Sequence, residues 1–170
     1  MRVSVIGGSS IDDETRAQAR EVGRLLGERG HTVVCGGLGG VMAAACRGAR
    51  EHDAETIGLL PAGRAVDRRE TAERASGNAA SRRADANEWV TTPIATGLGN
   101  ARNPLVVLNG DAVIAIDGAA GTLSELGHAL DYHRPVAGLD THGVDLEGFR
   151  AVESPRAAVE FVEARVGDGG

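Results

Sequence analysis

Lysine is missing from this 170-residue chain, and all 18 of its basic residues are arginine. That excludes chemistry through a lysine Schiff base, the internal aldimine of pyridoxal phosphate enzymes included, and it excludes the Walker A loop. Aromatic side chains are almost as scarce: Trp89, Tyr132, Phe149 and Phe161 are the whole stock. Single-stranded nucleic acid is gripped by stacked aromatics in a basic groove. A formal charge of −6 offers no basic footprint for phosphate backbones either, so no nucleic acid partner is expected. No apolar run approaches the roughly 20 residues of a membrane span, and no membrane partner is expected. The opening MRVSVIGG is too short and too rich in glycine to be a signal peptide. Cys35 and Cys46 form no CxxC pair and no disulfide framework. They read as two small buried thiols of a reducing compartment, and a cytoplasmic location follows by default. His31, His52, His128, His133 and His142 lie at scattered spacings without an HExxH pattern, so no metal and no resident cofactor are expected.

What the chain does have is glycine, 25 residues of it, and small apolar side chains. Its apolar share of 42% and its length suffice for one domain with a core between two helical layers. Short apolar runs alternate with helical patterns, the rhythm of βα units on a parallel sheet. Val3 to Ile6 reads as the first buried strand, with Gly7-Gly8-Ser9-Ser10 as the turn after it. Asp12 and Asp13 open a helix, where acidic residues suit the positive end of the dipole; Val22, Leu25 and Leu26 make its apolar stripe and Gly30 stops it. Thr32 to Cys35 is a second strand, followed by Gly36-Gly37-Leu38-Gly39-Gly40 and a helix through Met42, Ala45, Cys46 and Ala49. Thr56 to Leu60 is a third, closed by Pro61.

Residues 62–88 break this rhythm with many arginines and little apolar content, and read as a mobile surface loop with one short helix around Glu70 to Ala75. Regularity returns with Trp89 to Ile94, and a helix is expected over Leu105 to Leu108. Ala112 to Ile116 is a strand, Asp117 to Thr122 is the turn into a helix running to about Tyr132, and Val136 to Leu139 is the last strand expected. Ser154-Pro155 reads as cap and first position of a closing helix through Val159, Val162 and Val166. The sum is one α/β domain over 1–170, a Rossmann-like, doubly wound parallel sheet with helices on both faces.

In such a sheet ligands bind past the carboxyl ends of the strands, near the point where strand order reverses. Four loops fall on that edge, and all are rich in glycine or small polar residues. Loops without bulky side chains leave backbone N–H groups free at helix N-termini, which is an anion site. Any one of them is equally readable as a plain turn; four at one edge favour a bound phosphate. The dinucleotide fingerprint GxGxxG is not met, because Met42 stands where its third Gly or Ala belongs.

The segment Asp117-Gly118-Ala119-Ala120-Gly121-Thr122-Leu123-Ser124-Glu125-Leu126 resembles the PGGxGTxxE signature of the LOG (lonely-guy) family. Gly36-Gly37 with Gly40-Val41-Met42, and Thr96-Gly97 with Ala101-Arg102-Asn103, are further matches in family order. The pattern covers nearly the whole chain and is closest to the compact LOG-like branch that includes molybdenum-cofactor carrier proteins. The resemblance implies a homodimer that binds a phosphorylated small molecule. One implied activity is nucleoside 5′-monophosphate phosphoribohydrolysis, which splits the N-glycosidic bond to free base and ribose 5-phosphate. The alternative is a non-catalytic carrier or sensor of a phosphorylated ligand such as the pterin of molybdenum cofactor.

By the same resemblance the signature Arg and Glu fall on Arg102 and Glu125 as the candidate catalytic pair. Gly118, Gly121 and Thr122 would cradle the phosphate, with Gly8, Ser9, Gly37, Gly40, Met42, Thr96, Gly97 and Asn103 around the ligand. A carboxylate would stabilise the cationic ribose of glycosidic cleavage, and a guanidinium would grip phosphate. Glu125 is equally placed to complement a helix dipole, and Asn103 before Pro104 to act as an N-cap. The chain departs from the signature at Asp117 and Ala119, which replace Pro and the second Gly. Ser124 stands where phosphoribohydrolases carry another acid, and Asn103 where they carry Lys.

Overall fold

The computed structural model describes residues 1–61 and 86–167. Seven strands form one sheet: β1 Arg2–Gly7, β2 Thr32–Cys35, β3 Thr56–Leu60, β4 Thr92–Ala95, β5 Ala112–Ile116, β6 Val136–Leu139 and β7 Phe149–Val152. Every pairing is parallel, in the order β4-β3-β2-β1-β5-β6-β7. The helices among the described residues are α1 Asp13–Glu28, α2 Val41–Arg50, α3 Asn103–Leu108, α4 Ala120–Asp131 and α5 Pro155–Gly167, with a 3₁₀ turn at Gly99–Arg102. Strand order reverses at β1, as the doubly wound reading requires.

Two-sided burial follows from the period of two along each strand. Val3, Val5, Ile114 and Ile116 face the layer of α1, α2 and α5, where they meet Val22, Leu26, Ala45 and Val159. Ile6, Val113 and Ala115 face the other layer, against Val106 of α3 and Leu126 of α4. The α1–α2 contact is close because its residues are small. A Cβ on Gly23 would lie 1.9 Å from the Ala45 carbonyl oxygen, and one on Gly48 would lie 1.9 Å from that of Arg20. The Ala-rich face of α2 is thus used inside the chain.

Local signals account for the helix ends. The Asp12 carboxylate accepts from the Thr15 N–H at 2.8 Å, Asp13 and Glu14 occupy the first turn, and Gly30 leaves the helix at φ +73°. Ser154 caps α5 by accepting from the Ala157 N–H at 3.2 Å. Asn103 is not a cap: Arg102 holds that position, no side chain caps α3, and Asn103 itself is helical.

Two elements differ from the sequence reading. Val136–Leu139 is followed by a seventh strand, β7, which escapes notice because Arg150 and Ala151 are exposed at the sheet edge and only Phe149 and Val152 turn inward. The fourth strand starts at Thr92 rather than Trp89, which lies in a turn and packs on the core from outside the sheet. Pro93 is tolerated because β4 is the other edge. The loop expected over 62–88, with its helix at Glu70 to Ala75, falls mostly outside the described residues. No helix among the described residues is long and apolar enough to cross a membrane.

A candidate anion cleft at the reversal of strand order

The end of β1 is the floor of a 230 Å³ cavity, lined there by Val5, Ile6 and Gly7. Its walls come from three turns and two helix starts: Gly8 and Ser9 after β1, Gly36 and Met42 around the start of α2, Asn100, Arg102 and Asn103 before and within α3, and Ala119, Gly121, Thr122 and Glu125 at α4. Chain segments more than a hundred residues apart meet there because β1 pairs with both β2 and β5. Of the candidates read from sequence, Gly8, Ser9, Met42, Arg102, Asn103, Gly121, Thr122 and Glu125 line this one cavity.

Gly37, Gly40, Thr96, Gly97 and Gly118 do not line it. Gly40 sits at φ +63°, where a Cβ would meet the Gly8 carbonyl oxygen at 2.1 Å; that same carbonyl accepts from the Val41 N–H at 2.9 Å. The first Gly-rich turn is therefore laid directly on the start of α2. Gly118, at φ +115°, leaves room for the Thr122 side chain, which a Cβ would touch at 2.2 Å. Thr96 donates its hydroxyl to the Leu60 carbonyl at 2.8 Å and accepts from the Leu98 N–H, and Gly97 follows at φ +71°. Gly37 accepts from the Asn87 N–H at 2.8 Å.

Asn87 was not legible as a site residue. Its side-chain amide also donates to the Leu38 carbonyl at 2.9 Å, so it clamps the second Gly-rich loop from 49 residues away. No local spacing signals that. Asn100 lines the cavity, and its only sequence signal is its place directly before Ala101-Arg102-Asn103.

The helix ends around the cavity are treated unlike those elsewhere. α2 and α4 begin on Gly40 and Ala119, with no side-chain cap and no acidic residue in the first turn. The first N–H of α2 is taken by the Gly8 carbonyl, whereas the start of α4 at Ala119, Gly121 and Thr122 faces the cavity with its N–H groups and dipole end. α1 and α5, by contrast, carry Asp12 and Ser154 as caps.

Arg102 is only 5% exposed and still leaves most of its hydrogen-bonding capacity unused. Its Nη2 donates to the Gly36 carbonyl at 3.1 Å, while Nε has no partner among the described residues. Nη1 lies 3.8 Å from the Glu125 carboxylate, an ion pair too long for a hydrogen bond. Burial pulls the Arg102 guanidinium below its ordinary value, with Glu125 opposing. Burial likewise pushes the Glu125 carboxyl up to about 7, with Arg102 opposing. Both partners are driven towards their neutral forms, so the pair leaves each charge incompletely compensated.

Behind Gly36, Cys35 and Cys46 are buried free thiols with their sulfurs 3.5 Å apart. A hydrogen bond from Cys46, joined by one from the Gly37 N–H, lowers the Cys35 thiol and holds Cys46 protonated. Among the described residues no three His, Cys, Asp or Glu side chains gather as metal ligands would.

The fold is that of a Rossmann-like α/β domain in a LOG-like arrangement, with the cleft at the reversal of strand order. The chain belongs to the SLOG cluster4 family, whose sequence model matches residues 1–164. An uncharacterized protein of Archaeoglobus fulgidus is 36% identical over 162 residues, 95% of this chain and 93% of that protein. Among solved structures, a molybdenum cofactor binding protein from the phototrophic bacterium Rippkaea orientalis is 27% identical, with a TM-score of 0.79 over 97% of this chain and 96% of that one. The molybdenum cofactor carrier protein of Chlamydomonas reinhardtii is 25% identical, with a TM-score of 0.78 over 96% and 98%. The resemblance first seen around Asp117 to Leu126 therefore extends over the whole fold.

Proposed function

We propose that the cleft holds the phosphate-bearing end of a small molecule, a nucleoside 5′-monophosphate or a phosphorylated pterin such as molybdenum cofactor, and that the protein acts as its binding or carrier protein. The carrying observation is the Arg102 guanidinium in the cavity wall, whose Nη1 has only the long ion pair to Glu125 among the described residues, beside the start of α4 that no side chain caps. An anion there would accept from Arg102 and from the free N–H groups of α4, compensating groups that the protein alone leaves unpaired. The whole-chain similarity to two proteins of molybdenum cofactor binding supports the pterin. At 230 Å³ the cavity falls below the ~300 Å³ lower range of drug-sized pockets, and it suits the phosphorylated end of such a ligand better than all of it.

Native mass spectrometry of the gently purified protein, alongside titration with nucleoside 5′-monophosphates, tests the reading. A retained or titratable phosphate ester whose affinity falls at least about tenfold in Gly121→Val supports it. A Cβ at Gly121 meets nothing within 4 Å, so that variant fills the cleft without disturbing the fold. If neither wild-type protein nor variant binds a phosphate ester, the proposal fails.

Glu125 favours a second reading, phosphoribohydrolase. A carboxyl near pKa 7 in a cleft with an arginine is suited to general acid–base work at neutral pH. Water would attack C1′ while the base leaves with a proton. Release of base and ribose 5-phosphate, lost in Glu125→Gln with binding kept, would assign this activity; ligand retained without release assigns the carrier. The homodimer implied by the resemblance belongs to the same proposal. Leu98, Leu108 and Leu123 are exposed apolar side chains on the elements around the cleft, and light scattering of a Leu108→Glu variant tests a dimer through them.

A further inference from the structure

One acidic residue at the cleft has no structural duty. Asp117 follows β5 directly and takes a left-handed backbone, φ +51°. That conformation is held from outside: its N–H donates to the Leu139 carbonyl at 3.2 Å, and its own carbonyl accepts from the Thr141 hydroxyl at 2.5 Å. The β6 edge thus over-determines a backbone that an L-residue enters at some cost. The side chain gains nothing visible in return. Among the described residues neither carboxylate oxygen carries a hydrogen bond or an ion pair. One of them lies over the first Gly-rich turn, 2.9 Å from where a Cβ of Gly8 would stand, and Gly8 is part of the cavity wall. A free carboxylate therefore stands at the rim, three residues before the uncapped start of α4.

We infer that Asp117 sets the specificity of the cleft for a phosphate monoester that also bears a free sugar hydroxyl, and rejects ligands with a second phosphate. This rests on the phosphate reading of the cleft given above. The α4 start and Arg102 take one phosphate. A negative charge at the adjoining rim repels any further phosphate. The same carboxylate, which can only accept, offers two oxygens to hydroxyl donors of a sugar ring. A site meant for a diphosphate or a dinucleotide would place a donor or a glycine here instead.

The test uses three probes that need no knowledge of the base or pterin: ribose 5-phosphate, ethyl phosphate and pyrophosphate, titrated by NMR into the full chain. Wild-type protein is expected to prefer ribose 5-phosphate over each of the others by about tenfold or more. Asp117→Asn keeps a residue that tolerates positive φ and removes the charge; it should bring pyrophosphate to within about threefold of ribose 5-phosphate. Asp117→Gly relieves the backbone and removes the acceptor as well, so it should also lose the preference over ethyl phosphate. Ratios unchanged in both variants, with phosphate esters still bound, overturn the role of Asp117 and leave the phosphate cleft standing. Wild-type protein that binds none of the three overturns the cleft reading, and this one with it.

Discussion

Glu125 concentrates the electrostatic tension of the site in a single titratable side chain. Its carboxyl is raised from 4.5 to about 7 because burial disfavours the charged form. The sign follows from linkage. A raised folded-state value means the native protein holds its proton more tightly than the unfolded chain. The corresponding stability is fully present below about pH 4.5 and is lost as pH rises through about 7, a difference on the order of 3 kcal/mol. Glu125→Gln should remove that slope, so urea unfolding at pH 5 and pH 8 should give nearly equal stabilities for the variant. A wild-type protein no less stable at pH 8 than at pH 5 would contradict this assignment. Ligand affinity should follow the same proton. A phosphate ester should bind more tightly at pH 6 than at pH 8, because neutral Glu125 donates to the anion where the carboxylate repels it.

At the scale of elements, helix starts divide into those finished for stability and those left open. α4 is the open one that can be closed by a single change. Its cap position, Ala119, is extended and exposed, the geometry in which Asp accepts from the N–H groups of the first turn. Ala119→Asp should raise stability by about 0.5–1 kcal/mol and weaken phosphate-ester binding at least about tenfold. A variant that gains stability and keeps full affinity would place the anion elsewhere. The complementary change is Asp12→Ala at α1, which should cost about 1 kcal/mol and leave binding untouched. The α1–α2 seam gives a third test. Gly48→Val inserts a branched side chain where a Cβ alone would lie 1.9 Å from the Arg20 carbonyl oxygen, so it should destabilise by about 2 kcal/mol or more. Denaturant midpoints read all three.

At the scale of the whole molecule, a ligand that binds only the native state stabilises it by mass action, by about 2.7 kcal/mol at a hundredfold excess over Kd. For a domain of this size that is a rise in Tm of about 5 °C or more. The rise should disappear in Gly121→Val while the variant's own Tm stays near the wild-type value. Much of this architecture was legible in the chain itself. Alternating buried runs such as Ala112–Ile116, the cap at Asp12, the break at Gly30 and the Asp117–Leu126 segment are local signals, and the period of two or 3.6 that carries them does not depend on the rest of the fold. They specified the doubly wound α/β class and put Arg102 and Glu125 in the same cleft through a family resemblance. Edge strand β7 stayed hidden because a half-exposed edge carries too few apolar residues to announce itself. Asn87 stayed hidden because its partners, Gly37 and Leu38, lie about fifty residues away. It took the assembled fold to set which loop residues line the cleft, that Arg102 is buried there, and that the Asp117 carboxylate has no hydrogen bond or ion pair among the described residues. These properties belong to distances and desolvation between segments that β1 brings together, and no local stretch of sequence contains them.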